Sequence, residues 1–166
     1  MKKYFVILLF MSFSIFTMMA CKADNNQIDK ILILKSERKL ILLSQGNFIK
    51  EYKVSLGLNP KGTKVFEGDY KTPEGTYRID WRHFSKKFNL SMHVSYPSEE
   101  NKEYAKKFGR SAGGMIMIHG TPKNGKFPES SYPKYDWTDG CIALQNKDME
   151  EVWNLVKDQI IVEIKA

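Results

Sequence analysis

The residues best suited to chemistry in this chain are a cysteine and a histidine that each adjoin a glycine. Cys141 follows Gly140 at the start of a short apolar segment, and His119 precedes Gly120 at the end of another. A cysteine with an ordinary pKa of about 8.5 needs a basic or electropositive neighbour to ionise at neutral pH. His119 is the candidate base, and we expect both side chains to meet at the rim of one sheet. Such a pair can form and resolve an acyl-enzyme.

Gly140 adds a second component of an acyl-transfer site. Glycine has no Cβ, so the backbone around it can approach a substrate closely. The N–H groups of Cys141 and of a neighbour are then expected to point at the oxyanion that develops during attack on a carbonyl. Taken alone, a histidine beside an apolar strand is more often structural, and a free cysteine is often a small buried hydrophobe. Spacing by itself leaves both interpretations open.

The N-terminal residues are expected to direct export. Two lysines precede an apolar and hydroxyl-bearing run that reaches Ala20 without an acidic residue, the layout of a signal peptide at residues 1–20. Ala20 directly before Cys21 favours a lipoprotein signal, although Met18 stands where leucine is usual, and a retained anchor is the main alternative. We expect the protein in the periplasm or cell envelope, with membrane association through a lipid on Cys21.

The net charge and the cysteine content limit the kinds of binding partner that are expected. Without residues 1–20 the net charge falls from +7 to +5, because two lysines and no carboxylate are lost. Such a basic surface can attract an anionic wall polymer or lipid, or is merely solvated. No groove-reading motif indicates a nucleic-acid partner. Cys141 is the one thiol left after processing, which favours reactivity or intermolecular pairing. The histidines show no paired metal-ligand spacing, so we expect neither a metal nor a cofactor.

Strands are predicted to dominate the first hundred residues. At 166 residues and 42% hydrophobic content, the chain has room for one domain, with 21–30 as a polar linker and 31–166 as the folded part. Apolar or alternating runs bounded by turn residues predict strands, the first three of which form a meander. These strands are Ile31–Leu34, Lys39–Leu43, Phe48–Leu56, Gly75–Trp81 and Leu90–Tyr96.

The second half of the chain is predicted to contain two short helices and further strands. Ser98 can cap a surface helix that stops at Gly109, and Asn146 can cap a second helix with apolar residues at helical spacing. Met115–Ile118 is expected to be the strand before His119, and Ile160–Ile164 the last strand. The fold class is therefore mainly β, a β-rich α+β domain.

Three segments carry motifs in a characteristic order. Gly68–Tyr77 contains D-x-x-T-P-x-G, Ile116–Thr121 ends a strand with His-Gly, and Trp137–Leu144 contains Gly-Cys-Ile. In this order and spacing they resemble the L,D-transpeptidase catalytic-domain family of bacterial cell-wall enzymes, over roughly residues 30–165. The resemblance implies a β-sandwich-like fold.

The resemblance also implies a reaction. The family's cysteine attacks the amide after the third, D-centred residue of a peptidoglycan tetrapeptide stem, a thioester forms, and the terminal D-alanine leaves. An amine then resolves the thioester, which cross-links two stems or attaches a protein such as a wall-linked lipoprotein; water in that role gives hydrolysis. Acylation of the cysteine by carbapenems would follow.

Residue roles follow from the resemblance by position. Cys141 matches the nucleophile, His119 the proton donor and acceptor, and the backbone at Gly140 the oxyanion site. Stem binding would fall on Tyr96, Gly120 and Trp137. Among the other residues, Tyr132, Tyr135 and Trp137 either line a cleft or cover the core, and His83 and His93 are expected on a strand surface without partners.

Two positions depart from the family pattern. Many members carry a histidine directly before Gly-Cys and an arginine two residues after the cysteine, where this chain has Asp139 and Ala143. This resembles a divergent branch that includes hydrolases detaching proteins from the wall. A carboxylate facing the thiol would raise the pKa of Cys141, whereas Asp139 in a solvent-facing turn would not.

Three functions follow as hypotheses. The leading one is a cysteine-dependent L,D-transpeptidase, and the second is an L,D-carboxypeptidase or amide hydrolase on the same site. They differ in what resolves the thioester. The third is a non-catalytic wall-binding lipoprotein, in which Cys141 is inert.

Overall fold

The computed structural model describes residues 27–166, so the predicted signal peptide and Cys21 lie outside the described residues. Eight strands and two α-helices confirm the mainly β fold class. The strands are β1 (Lys30–Leu34), β2 (Lys39–Ser44), β3 (Asn47–Lys53), β4 (Gly75–Ser85), β5 (Asn89–Val94), β6 (Met117–His119), β7 (Ile142–Ala143) and β8 (Ile161–Lys165). The helices are α1 (Glu99–Lys106) and α2 (Asn146–Leu155), with a 3-10 helix at Glu129–Lys134. Within residues 27–166, no helix is long and apolar enough to cross a membrane.

The strands form one mixed sheet in the order β3-β2-β1-β8-β4-β5-β6-β7. The pairs β1–β8 and β6–β7 are parallel and the others antiparallel, so β1–β3 is the predicted meander. A bulge in β4 between Ile79 and Trp81 separates the two halves of the sheet. Side chains from both halves, such as Ile31 and Met92, belong to one buried cluster. The two halves therefore enclose a single core, as a sandwich does.

The two ends of the sheet are joined through backbone hydrogen bonds. Ser55, just after β3, donates its N–H to the Ala143 carbonyl at 2.8 Å and accepts the Ala143 N–H at 2.9 Å. Strand β7 is only two residues long, yet this bridge pairs its outer edge while β6 pairs the inner one. The segment that follows Cys141 is thus held from both sides.

One of the two predicted N-terminal helix caps differs in the structure. Helix α1 has the predicted cap, since the Ser98 hydroxyl accepts the Asn101 N–H and the Asn101 side chain reaches back to Ser98. In α2 the predicted cap at Asn146 is wrong, because Gln145 is the N-cap and Asn146 is already helical. The Asn146 N–H instead donates to the Glu129 carboxylate at 2.5 Å. A side chain from the 3-10 helix replaces the local cap.

Several predicted boundaries shift. The predicted linker at 21–30 extends too far, because Ile28 is buried in the core and the Asp29 N–H donates to the Leu43 carbonyl. Strand β4 continues past Trp81, since the hairpin with β5 extends beyond the core. Strand β6 begins two residues later than predicted, after Met115, whose φ of +56° lies outside the strand region.

Candidate active site

Strand pairing brings His119 and Cys141 to one edge of the sheet. In the parallel β6–β7 ladder, His119 pairs with Ala143, and Cys141 lies two residues before Ala143. Cys141 directly precedes β7, so it lies at the end of this ladder. The structure accordingly places His119 and Cys141 in the lining of one cleft, at the edge of the sheet where β7 begins.

This cleft has a volume of about 470 Å³, and several aromatic side chains contribute to its walls. The ring centroids of Phe88 and Trp137 lie 4.3 Å and 5.8 Å from that of His119. Tyr132 packs edge-on against Trp137 at 5.1 Å. A separate cleft of about 380 Å³ beside α1 has neither a cysteine nor a histidine in its lining. The aromatic cleft is therefore the candidate site for cysteine chemistry.

Burial keeps the imidazole of His119 neutral. The residue is 2% exposed, and burial lowers its pKa to about 4, a shift that the carbonyl of Gly120 opposes and the charge of Lys87 assists. Nδ1 lies 2.6 Å from the Gly120 carbonyl oxygen, which can only accept a hydrogen bond. Nδ1 therefore carries the hydrogen, and Nε2 keeps the lone pair that can take a proton.

Cys141 is a thiol rather than a thiolate in this resting state. Burial raises its pKa above the ordinary range, a hydrogen bond with the Met117 backbone opposes the shift, and the Asp139 carboxylate adds to it. The expected effect of Asp139 on the pKa of Cys141 is thus in the predicted direction. The thiol lies 3.6 Å from the Met115 carbonyl, to which it donates. The thiol would have to lose its proton before Cys141 could act as a nucleophile.

Gly140 shapes the turn before the nucleophile but does not offer its own N–H. Its φ is +130°, and an added Cβ would lie 2.6 Å from the Lys71 carbonyl oxygen. The Gly140 N–H donates to the Thr138 hydroxyl at 3.1 Å, and that hydroxyl donates to the Cys141 carbonyl at 2.7 Å. The expected oxyanion donor at Gly140 is therefore already used, which leaves the Cys141 N–H as the donor that this turn can aim at a substrate.

The motifs that form this site match one family. The model of the L,D-transpeptidase catalytic domain, YkuD, matches residues 28–164. The chain belongs to the YkuD family. Among curated relatives, YafK of Escherichia coli K12 is 23% identical over 137 residues, which are 79% of this chain and 48% of YafK. The chain thus spans about half the length of the curated relatives that it matches.

Solved structures share the YkuD fold. Pgp2, the helical cell shape determining protein of Campylobacter jejuni, superposes with a TM-score of 0.64 at 26% identity, covering 83% of this chain and 47% of Pgp2. Bd1075 of Bdellovibrio bacteriovorus gives a TM-score of 0.58 at 23% identity, over 81% of this chain and 46% of Bd1075. An L,D-transpeptidase of Mycobacterium smegmatis gives 0.57 at 13% identity, over 84% and 59% of the two chains. The last two show similarity of fold alone.

The three expected stem-binding residues of this YkuD domain occupy different environments. Trp137 lines the cleft, and its indole Nε1 is buried without a hydrogen-bond partner among residues 27–166. Gly120 does not line the cleft; its carbonyl orients His119, and an added Cβ would lie 2.3 Å from the Asn146 Oδ1. In this structure Gly120 therefore orients the His119 ring.

The expected stem-binding role of Tyr96 is not supported by its position. Tyr96 is 2% exposed, and its hydroxyl donates to the Ala112 carbonyl at 3.1 Å. The alternation of β5 explains this, because Met92, Val94 and Tyr96 follow one another on the face that packs into the core. Tyr96 is a core residue.

The loop that contains the D-x-x-T-P-x-G motif of the family packs against Gly140, the residue before Cys141. Burial alone would raise the pKa of Asp69, but hydrogen bonds from Lys64 and three backbone N–H groups lower it overall. The Lys64–Asp69 pair is buried at 2.8 Å, and the Thr72 hydroxyl accepts the Gly57 N–H at 3.1 Å. This loop ends against Gly140 through the Lys71 carbonyl. The sequence identified this motif through its resemblance to the family but did not reveal the buried Lys64.

Other side chains also differ from expectation. His93, predicted to have no partner, lies 2.7 Å from an Asp80 carboxylate oxygen and stacks on Trp81 with centroids 4.7 Å apart. Tyr132 is buried against the cleft, whereas Tyr135 is 66% exposed. The surroundings of each of these side chains depend on the strand or loop that packs against it. The local sequence does not show which segment that is.

Proposed function

We propose that this protein is a cysteine-dependent L,D-transpeptidase that acts on peptidoglycan stem peptides through a thioester on Cys141. The observation that carries the proposal is the placement of Cys141 and a neutral His119 in one cleft of a YkuD-family domain. Nδ1 of His119 is engaged by Gly120, so Nε2 is the atom available for proton transfer. Family membership supports the proposed substrate class, and the shared cleft supports the proposed roles of Cys141 and His119.

The first half-reaction forms the thioester. Sγ of Cys141 attacks the carbonyl carbon of the amide after the third stem residue, and the thiol proton passes to Nε2 of His119. The developing oxyanion accepts a hydrogen bond from the Cys141 N–H. When the tetrahedral intermediate collapses, the C–N bond breaks and His119 returns the proton to the leaving amine.

The second half-reaction releases the enzyme. An acceptor amine attacks the thioester carbonyl and gives a proton to His119, which then protonates the departing sulfur of Cys141. The product is a new amide, either a cross-link between stems or the attachment of a protein such as a wall-linked lipoprotein. The thiol is restored, and no net proton is consumed.

Hydrolysis on the same site is the second candidate. Asp139 is exposed, lines the cleft and precedes Gly140, where many family members carry histidine. A carboxylate in the cleft can orient a water molecule for attack on the thioester, just as it can bind the ammonium form of an acceptor amine. In this case water takes the place of the acceptor amine and the donor stem is released as a free acid.

Product analysis of muropeptides tests these alternatives. The mature protein is incubated with tetrapeptide-stem muropeptides, and the products are read by mass spectrometry beside those of Cys141→Ala. Dimers that have lost one alanine would establish transpeptidation, and shortened monomers with one water added at the cut would establish hydrolysis. Products identical to those of Cys141→Ala would contradict both and favour a wall-binding protein.

Export is also part of the proposal. Residues 1–20 are proposed as a signal peptide and Cys21 as the lipid-bearing residue, on the pattern of the sequence alone. Fractionation of cells that express the full chain and Cys21→Ser tests this. A lipid anchor predicts that the full chain is found with membranes and that Cys21→Ser is released. The same distribution for both proteins would contradict lipidation.

A further inference from the structure

The candidate active site is lined by charges of both signs. Lys87 lines the cleft near His119: its Nζ lies 4.9 Å from the centroid of the Phe88 ring, and that ring packs 4.3 Å from His119. Asp139 also lines the cleft, two residues before Cys141. A cation therefore lies near His119 and an anion near Cys141.

The backbone at Lys87 is held by hydrogen bonds, while its ammonium group contacts the Phe88 ring and forms no ion pair with the described residues. The Ser85 hydroxyl accepts the N–H groups of Lys87 and Phe88 at 3.2 Å and 3.1 Å. The Lys87 carbonyl accepts the Lys123 N–H at 3.0 Å, which ties this turn to the loop after β6. Within the part of the chain that the structure describes, neither Lys87 nor Lys126 on the opposite loop makes an ion pair. Both charges are available to a ligand.

We propose that Lys87, assisted by Lys126, binds the free α-carboxylate of the amino acid that leaves from the donor stem. The inference rests on the proposed function and names its specificity determinant. His119 delivers a proton to the leaving nitrogen, and in an α-amino acid the carboxylate is only two bonds from that nitrogen. The carboxylate must therefore lie on the His119 side of the cleft, within reach of a flexible lysine side chain.

The Asp139 carboxylate near Cys141 supports this orientation. A carboxylate placed beside Asp139 would be repelled, whereas one beside Lys87 gains a charge-assisted hydrogen bond in a partly desolvated site. The enzyme would consequently prefer to cut a C-terminal residue over an internal amide, which has no charge at that position. Lys87 is a substrate-binding residue in this account and takes no part in proton transfer.

A pair of matched substrates tests the inference. One is a tetrapeptide stem with a free terminal carboxylate, and the other is the same stem ending in a primary carboxamide. We expect kcat/KM for release of the terminal residue by the wild-type protein to be roughly tenfold higher for the carboxylate. In Lys87→Gln the ratio should fall towards one, and in Lys87→Arg it should be largely kept. Lys86→Gln is the control, because Lys86 is the adjacent lysine and does not line the cleft.

The outcomes separate this inference from the proposed function. Release of the terminal residue from both substrates at equal rates by the wild-type protein would overturn the carboxylate site and leave the enzyme assignment intact. A preference that survives in Lys87→Gln would overturn the role of Lys87. Release from neither substrate would overturn the proposed function itself, and the inference with it. Circular dichroism of each variant shows that the changes in ratio arise in folded protein.

Discussion

At the scale of single residues, burial sets the protonation of the candidate catalytic pair. His119 is kept neutral with a pKa of about 4, and the pKa of Cys141 is raised. The resting pair is therefore thiol and imidazole, not thiolate and imidazolium. Because the thiolate is the reactive form of cysteine, the raised pKa of the half-buried Cys141 is expected to slow its reactions at neutral pH.

The reactivity of Cys141 with iodoacetamide should follow this protonation. In a Cys21→Ser background, we expect alkylation of the folded protein to be slow at pH 7 and still to rise above pH 9, because the thiolate is the reacting species. The rate is measured by mass spectrometry across pH, with the protein unfolded in guanidinium as the control. A folded-state midpoint below that of the unfolded control would contradict the raised pKa. Slow labelling at neutral pH is accordingly not a sign of an inert cysteine.

At the scale of elements, the turn at Gly140 and the loop that packs against it determine the position of Cys141. The turn at Gly140 passes so close to the Lys71 carbonyl that a side chain cannot be accommodated. The loop that presents Lys71 is in turn held by the buried Lys64–Asp69 pair. A disturbance in either element should reach Cys141 without any contact with substrate.

Gly140→Ala should lower both stability and activity. The new Cβ would lie 2.6 Å from backbone and the φ of +130° is unfavourable for alanine, so we expect a loss of roughly 3–4 kcal/mol in the free energy of unfolding. Gly46→Ala is the matched control, because φ there is +79° but nothing lies within 4 Å. It should cost about 1–2 kcal/mol and leave activity unchanged. Denaturant titration that gives equal losses for the two variants would rule out the close approach at Gly140 as the cause.

Removal of one partner of the buried ion pair should be costly. Lys64→Met leaves the Asp69 carboxylate, 7% exposed, without its cation, and we expect a loss of roughly 3 kcal/mol in the free energy of unfolding together with reduced activity. Lys102→Met removes the exposed pair with Glu99 and should change stability by less than about 1 kcal/mol. Urea titrations of both variants provide the comparison. Equal stability of Lys64→Met and the wild-type protein would show that the pair does not hold the loop.

At the scale of the whole molecule, the closed sheet also buries His119. The Ser55–Ala143 bridge joins the two ends of the sheet, and His119 lies in β6 beside the bridged strand. The imidazole is therefore buried by the closed fold and not only by its immediate neighbours. Its protonation is consequently linked to global unfolding.

Stability should decrease as pH falls from about 6.5 to about 4. The unfolded chain binds a proton at His119 near pH 6.5, whereas the folded chain does so only near pH 4, so protons favour unfolding in this window. The shift corresponds to a loss of up to roughly 3 kcal/mol at the acid end. Urea titrations at several pH values measure it. His119→Gln should flatten the pH dependence of the free energy of unfolding above pH 5, where few carboxylates titrate. If the slope is unchanged in this variant, a group other than His119 binds the proton on unfolding.

Local sequence was sufficient for features that depend on neighbours along the chain. Short β-branched or leucine-rich runs predicted β1 and β2, because such residues favour strands. The Ser98 cap of α1 was predictable, since its partner is three residues away. Cys141 and His119 were identified as candidates from their glycine neighbours and the surrounding motifs. These features required no knowledge of the partner strands.

Tertiary structure decided what distant segments do to one another. Only the fold inserts β8 between β1 and β4, caps α2 with Glu129 and buries Tyr96 in the core. It also brings Lys87 and Phe88, from the turn after β4, beside the imidazole. The physical reason is that propensity and periodicity report local conformation and average burial, whereas these contacts arise between segments far apart in the chain. The amino-acid sequence thus determined the type of fold and the candidate nucleophile, and three-dimensional packing determined the state in which that nucleophile rests.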